Sequence, residues 1–293
     1  MGGTVSRVVI CHGIGYQYKH AETMLTEWYE ALRVGMTDAA HPVPDAADVA
    51  AVYYGSCFRS RGTKGGGVDD ELRDIPSFEI GDVRDPFELE LLEAFAEGTD
   101  APLPGGKGIG QIALRRLERH EGLGKPMGRT VIWMIRQVRR YLDASDTVRE
   151  CAQKRFERVV TPETRVVIGH SLGSVVAYEA LRAHPEWNVH TFISVGSPLG
   201  LRAVQDRLLP TPPSAGNALP PVARWVNVAA KDDPIALVKH LEPAFGDVDD
   251  RPVVNLPWHK PGKYFFGSHS VLRYLTTEEV AEAVATGLAA GQR

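Results

Sequence analysis

Short apolar runs alternate along this chain with longer stretches whose apolar positions recur at helical spacing. Val5 to Ile10 reads as a short buried strand, and residues 20–36 then place Met24, Leu25, Trp28, Ala31 and Leu32 on one face of an amphipathic helix. Asp48 to Tyr54, DVAAVYY, is a second apolar strand. After residue 143 the alternation resumes: a helix over Thr147–Val159, the apolar run Val166–Ile168 with a helix behind it, strands at 189–195 and 223–229, a short last strand at Pro252–Leu256, and a closing helix at Thr277–Ala290. Strands taking turns with helices predict an α/β fold built on a doubly wound, mainly parallel sheet.

The pattern breaks between Gly55 and Asp143, where no good run of β-branched residues occurs. Glycine-rich loops at 62–67 and 105–110 separate three helix candidates, an acidic one over Pro86–Glu97, a basic one over Ile109–His120 and a third over Thr130–Tyr141. The third carries Val131, Ile132, Met134, Ile135 and Val138 on one side and Arg136, Arg139 and Arg140 on the other. Residues 1–57 and 143–293 are therefore read as the core and 58–142 as a helical cap inserted above the sheet. Its third helix is either packed on the core with solvated arginines or presents a lipid-facing lid.

One stretch organises the rest: TRVVIGHSLGSVVAYEALRA, residues 164–183. A strand runs into Gly169-His170-Ser171-Leu172-Gly173, and Val175, Val176, Tyr178, Ala180 and Leu181 follow at helical spacing. Strand, tight turn with serine at its apex, helix: this is the G-x-S-x-G nucleophile elbow. A serine hydroxyl is a weak nucleophile and must stand clear of the sheet to meet a base. The sharp turn strains the backbone of Ser171, and side chains at Gly169 and Gly173 would collide with the neighbouring strand and helix. The free N–H groups of the helix start face the charge that develops during acyl transfer.

Composition narrows the alternatives. A net charge of −4 offers no bulk basic surface for nucleic acid, and hydrophobic and charged contents of 43 % and 24 % are those of an ordinary globular protein. No apolar run approaches membrane-spanning length, and the first one leads straight into a loop with no cleavage region, so no signal peptide is expected. Met1–Ser6 matches an N-myristoylation pattern, but the residues after it enter a strand at once. The three cysteines, Cys11, Cys57 and Cys151, are far apart and odd in number, with no C-x-x-C, so neither a zinc site nor a disulfide framework is expected and a reducing cytoplasm is the simplest home.

In a parallel sheet of this kind, functional residues lie just past the carboxyl ends of strands. Besides Ser171, three places qualify: His12-Gly13-Ile14-Gly15, Lys231-Asp232-Asp233-Pro234 and Gly267-Ser268-His269-Ser270. With GHSLGS, SVGSPLG and a D-P-I after a W-V-N strand, the chain resembles the α/β-hydrolase superfamily. Within it, the chain is similar to lipases and esterases of the lecithin–cholesterol acyltransferase and GPI inositol-deacylase type. The likeness covers about residues 5–55 and 145–290 and not the insertion. The usual two N-terminal strands are absent, which implies a minimal six-stranded sheet.

The resemblance implies roles. Ser171 corresponds to the nucleophile, His269 to the general base, and Asp233, with Asp232 as its immediate rival, to the acid that orients and balances that histidine. The oxyanion hole would be the backbone N–H groups of Leu172 and Ile14, with His12 and Gly13 bracing that loop and Gly169, His170 and Gly173 supporting the elbow. His259 and His240, the latter read as helical, are the fallback bases. The alternative role for Asp232 and Asp233 is to cap a helix starting at Pro234. The implied activity is metal-independent cleavage of a small-molecule or lipid carboxylic ester, without a cofactor, with peripheral membrane contact through the cap as an option. A thioesterase, an acyltransferase or a non-catalytic binding protein on the same fold stays open. The run Gly105–Gly110 fails as a phosphate loop, because no Ser or Thr follows its lysine and no buried strand precedes it.

Overall fold

The computed structural model describes residues 6–16, 19–59, 83, 85–97, 125–210, 219–233, 235–255 and 267–290. The glycine-rich loops at 62–67 and 105–110, the basic helix expected over 109–120, the N-terminal pattern at 1–5, Pro234 and His259 lie outside them. Six strands form one sheet: β1 (Val8–Cys11), β2 (Val49–Val52), β3 (Val166–His170), β4 (Thr191–Val195), β5 (Arg224–Ala230) and β6 (Asp249–Val253). Their order is β2-β1-β3-β4-β5-β6, and every neighbouring pair is parallel. The sheet is thus wholly parallel among the described residues, where a mainly parallel one was expected.

Burial on both faces explains why the strands read as continuous apolar runs. Val9, Cys11, Val167, Phe192 and Trp225 point to one side, into a core shared with helices α4 (Val148–Glu157), α5 (Leu172–Ala183) and α6 (Arg202–Gln205). Val8, Ile10, Val166, Ile168, Ile193, Val226 and Val228 point to the other, against α1 (Ala21–Asp38), α8 (Val271–Leu275) and α9 (Glu278–Ala290). The chain leaves β1 for β2 on one side and returns to β3 on the other. That reversal makes β1 and β3 the switch point of the sheet, beyond whose carboxyl ends parallel sheets of this kind place their binding crevices.

β6 starts three residues earlier than the expected Pro252, because its first half is charged rather than apolar. Asp249 pairs with Arg224 of β5 at 2.7 Å, and Asp250 accepts the N–H groups of Leu241 and Glu242. An edge strand in which charges find such partners carries no apolar signature. His240 lies in a loop before the one-turn helix α7 (Glu242–Phe245), not in a helix as expected. Between it and Asp233 the described backbone forms no regular element; Asp250, further along, anchors the start of α7 instead.

Between β2 and β3, α2 (Pro86–Glu97) has the expected bounds, and α3 (Lys125–Leu142) extends the expected helix at its start. Phe87, Leu91, Leu92, Ile135, Val138 and Tyr141 belong to the same core as Val9 and Val167. Glu88, almost fully buried, accepts Arg139 Nε at 2.7 Å and lies 3.6 Å from Arg136, clipping the two helices together.

The absence of a disulfide was expected and is wrong. Cys57 and Cys151 are bonded across 94 residues. The turn Gly55–Phe58 after β2 packs on α4, and this tertiary contact, invisible in the spacing of the cysteines, brings the two sulfurs together. The argument for a reducing home loses its ground with it. No helix among the described residues is long and apolar enough to cross a membrane.

Candidate active site

Ser171 sits between β3 and α5 with φ 53° and ψ −128°, a conformation that L-residues seldom adopt. Its N–H donates to the Val195 carbonyl at 3.1 Å, which ties the turn to β4. The flanking glycines are required by contact. A Cβ on Gly169 would stand 2.5 Å from Ser174 Cα, and one on Gly173 would stand 2.3 Å from the His12 carbonyl oxygen. Helix start and β1 therefore approach the elbow more closely than any side chain permits. Behind the turn, Leu199 N–H donates to Ser197 Oγ, Ser197 Oγ lies 2.7 Å from Ser174 Oγ, and Ser174 Oγ donates to the Ser171 carbonyl at 2.6 Å. This file of polar groups holds the strained residue from below.

The loop after β1 lies directly on the serine: a Cβ on Gly13 would come within 2.8 Å of Ser171 Cβ. His12 braces that loop. Its Nδ1–H donates to the Gly13 carbonyl at 2.6 Å, and its Nε2 accepts the N–H groups of Tyr54 and Gly55 at 3.0 and 3.1 Å. The Tyr54 ring stacks on the imidazole, and its hydroxyl donates to the His12 carbonyl. Burial lowers the His12 pKa to about 4, only partly opposed by the bond to Gly13, so the ring stays neutral and keeps this tautomer. Ile14 follows Gly13. Leu172 is the first residue of α5, where a helix leaves its N–H without an intrahelical acceptor.

Two further strand ends meet the same edge. Asp233, beyond β5, is buried, and its carboxylate faces His269: Nδ1 lies 2.8 Å from Oδ2 and 3.0 Å from Oδ1. Asp232 is exposed, and its carbonyl accepts the Ser268 hydroxyl. Oδ1 of Asp233 also accepts the N–H groups of Ile235 and Ala236, and Oδ2 accepts the Tyr274 hydroxyl at 2.5 Å. Burial alone would raise this carboxyl pKa. The charge and hydrogen bond of His269, the Tyr274 hydroxyl and the Ile235 amide outweigh it and hold the pKa down at about 2. Gly196, at φ +57° just past β4, leaves room for the pair, since a Cβ there would stand 2.9 Å from Asp233 Oδ2 and 3.0 Å from His269 Nδ1.

His170 links this pair to the elbow. Adjacent to Ser171 in the chain, it donates Nε2–H to the His269 carbonyl at 2.8 Å, and the two rings lie 4.6 Å apart between centroids. Burial, then the neighbouring His269, lowers its pKa to about 3. The structure therefore gathers Ser171, His170, His269, Asp233, His12 and Gly13 at one edge. His240 stands apart, within 3.9 Å of Asp250 on an exposed loop.

Sequence reasoning missed Tyr274, Ser197 and the Tyr54–Gly55 amides. Tyr274 occurs in the apolar run VLRYL and reads there as core; its spacing of five from His269 was the available signal. Tyr54 ends the apolar run of the second strand, and nothing local marks its backbone as a partner for His12. Among the described residues no group of three or more His, Cys, Asp or Glu side chains is arranged to hold a metal ion. No protein-family model, curated protein or solved structure matches the chain.

Proposed function

We propose that the chain is a serine hydrolase that cleaves carboxylic esters through an acyl-enzyme, on an α/β-hydrolase sheet lacking its first two strands. The observation that carries this reading is a serine in a strained elbow whose chain neighbour, His170, bonds the backbone of His269, a histidine itself bonded through Nδ1 to a buried ionised carboxylate. With Nδ1–H directed at Asp233, Nε2 of His269 is the nitrogen that carries no proton, the form that accepts one from a hydroxyl. In this reading Ser171 Oγ attacks the ester carbonyl as His269 takes its proton. The Leu172 and Ile14 N–H groups hold the oxyanion. The bond to the alcohol oxygen then breaks, and the alcohol leaves with the proton from His269. Water repeats the cycle: it loses a proton to His269, attacks the acyl-Ser171 carbonyl, and releases the acid as Ser171 recovers its proton.

The substrate class is a small-molecule or lipid ester. A thioester donor, or an alcohol in place of water as acceptor, would use the same residues. The test is labelling with a fluorophosphonate and turnover of p-nitrophenyl esters of graded chain length. The expected result is phosphonylation of Ser171 and a loss of at least about 10³-fold in turnover in Ser171→Ala, with the fold retained. An unlabelled Ser171 would overturn the mechanism and leave a hydrolase-like binding protein, and undiminished turnover in the variant would overturn it by placing the catalysis on another residue.

A further inference from the structure

We propose that Tyr274 is a positioning residue: its hydroxyl locks the Asp233 carboxylate in the orientation that meets His269 and limits how strongly that carboxylate holds the imidazolium. The proposal rests on the serine-hydrolase reading above.

A phenol has one proton to donate and lone pairs to accept with. Ala230 N–H donates to the Tyr274 oxygen at 2.9 Å, so the phenol's own proton is free for Asp233 Oδ2, 2.5 Å away. Ala230 is the last residue of β5. The hydroxyl thus bridges the rigid strand end and the acid that follows it. On the other carboxylate oxygen the Ile235 and Ala236 amides do the corresponding work. A carboxylate held by donors on both oxygens cannot turn away from the imidazole without breaking bonds in a buried site, where each is worth more than in water.

The two donors to Oδ2 compete. His269 Nδ1 at 2.8 Å and Tyr274 Oη at 2.5 Å draw on the same oxygen. Both arrive on one short piece of chain, since His269 and Tyr274 flank the start of the single-turn α8 and are five residues apart. A tyrosine present only to fill the core would need its hydroxyl satisfied, and the Ala230 amide already does part of that. Donation to the acid itself is the additional feature. Burial, then the charge of Asp233, drives the Tyr274 pKa up, so the phenol remains a donor at every working pH. Among the described residues, the other groups with charge or titration around this carboxylate are His170, Asp232 and Lys239, whose ammonium donates to the Asp233 carbonyl at 2.8 Å.

The experiment is the pH profile of p-nitrophenyl ester hydrolysis by the full chain carrying Tyr274→Phe and, separately, 3-fluorotyrosine at position 274. Phenylalanine removes the competing donor: the acid limb of kcat/KM moves to higher pH, and kcat falls about tenfold with KM unchanged, because the carboxylate is no longer pinned. The fluorinated phenol is a stronger donor of nearly the same size, and it moves the limb to lower pH. A role in packing alone would move neither limb, and unmoved limbs in both proteins would overturn the proposal. Should Tyr274→Phe fail to fold, the fluorotyrosine protein decides by itself. If the wild-type chain shows no turnover that depends on Ser171, the hydrolase reading has failed separately. The positioning role is then read from the downfield proton resonance of the His269 Nδ1–H, which Tyr274→Phe shifts further downfield and which stays in place if the proposal is wrong.

Discussion

His12 and His170 are imidazoles that the fold keeps neutral, and this makes the molecule sensitive to acid. In the unfolded chain each takes up a proton near the ordinary histidine value of about 6.5. In the folded protein burial, as the main cause, holds His12 at about 4 and His170 at about 3. Between these limits the unfolded form binds more protons, so stability that is full above about pH 6.5 is lost as pH falls toward 4. His12 alone contributes a loss on the order of 3 kcal/mol across that window. Urea midpoints measured from pH 7 to pH 4 should fall steadily. His12→Gln, whose amide oxygen can still accept the Tyr54 and Gly55 N–H groups, should flatten the slope. Below about pH 4, protonation of Asp233 adds to the loss, because its folded value of about 2 lies below its unfolded one. At this scale Ser171 and its glycines were legible because steric exclusion acts within five residues. Tyr274 was not, because its partner lies 41 positions away.

Helices α2 and α3 are read from their own periodicity, and their bounds agree with it to within a few residues. What their sequences do not say is how they hold each other. Glu88 is one of the glutamates of an acidic helix, and the structure buries it under Arg139 and Arg136, whose side chains are a fifth to a third exposed. Removing the carboxylate takes the buried acceptor from both arginines and leaves Arg139 only the longer contacts to Asp143 and Asp85 at the helix ends. Glu88→Ala should lower unfolding free energy by about 2–3 kcal/mol, with Glu88→Gln intermediate, as measured by urea denaturation. An effect below about 0.5 kcal/mol would show that the clip matters no more than an exposed ion pair. β6 illustrates the converse problem. Its register with β5 is set by pairing from Val226↔Asp249 to Ala230↔Val253, while its first residues carry charges that no apolar template detects.

Across the whole molecule, the Cys57–Cys151 bond joins the turn after β2 to α4, on either side of the chain that carries α2 and α3. A crosslink of 94 residues' separation removes much of the unfolded chain's freedom. Reduction should therefore lower stability by about 2–4 kcal/mol, seen as a fall in Tm on adding dithiothreitol. Cys57→Ser should already show the lowered Tm and no longer respond to the reductant. The same turn presents the Gly55 amide to His12, so the crosslink also steadies the loop pressed against Ser171.

The chain by itself determined the alternation of strands and helices, the elbow with its glycines, and which three loops follow the strands that matter. Each of these depends on periodicity or on steric contact between near neighbours. The tertiary structure alone decided that Asp233 rather than Asp232 faces His269, that Tyr274 shares that carboxylate, that His240 stands apart, and that two distant cysteines bond. These outcomes depend on which elements the sheet order places side by side, and contacts between residues far apart in the chain leave no period in the sequence.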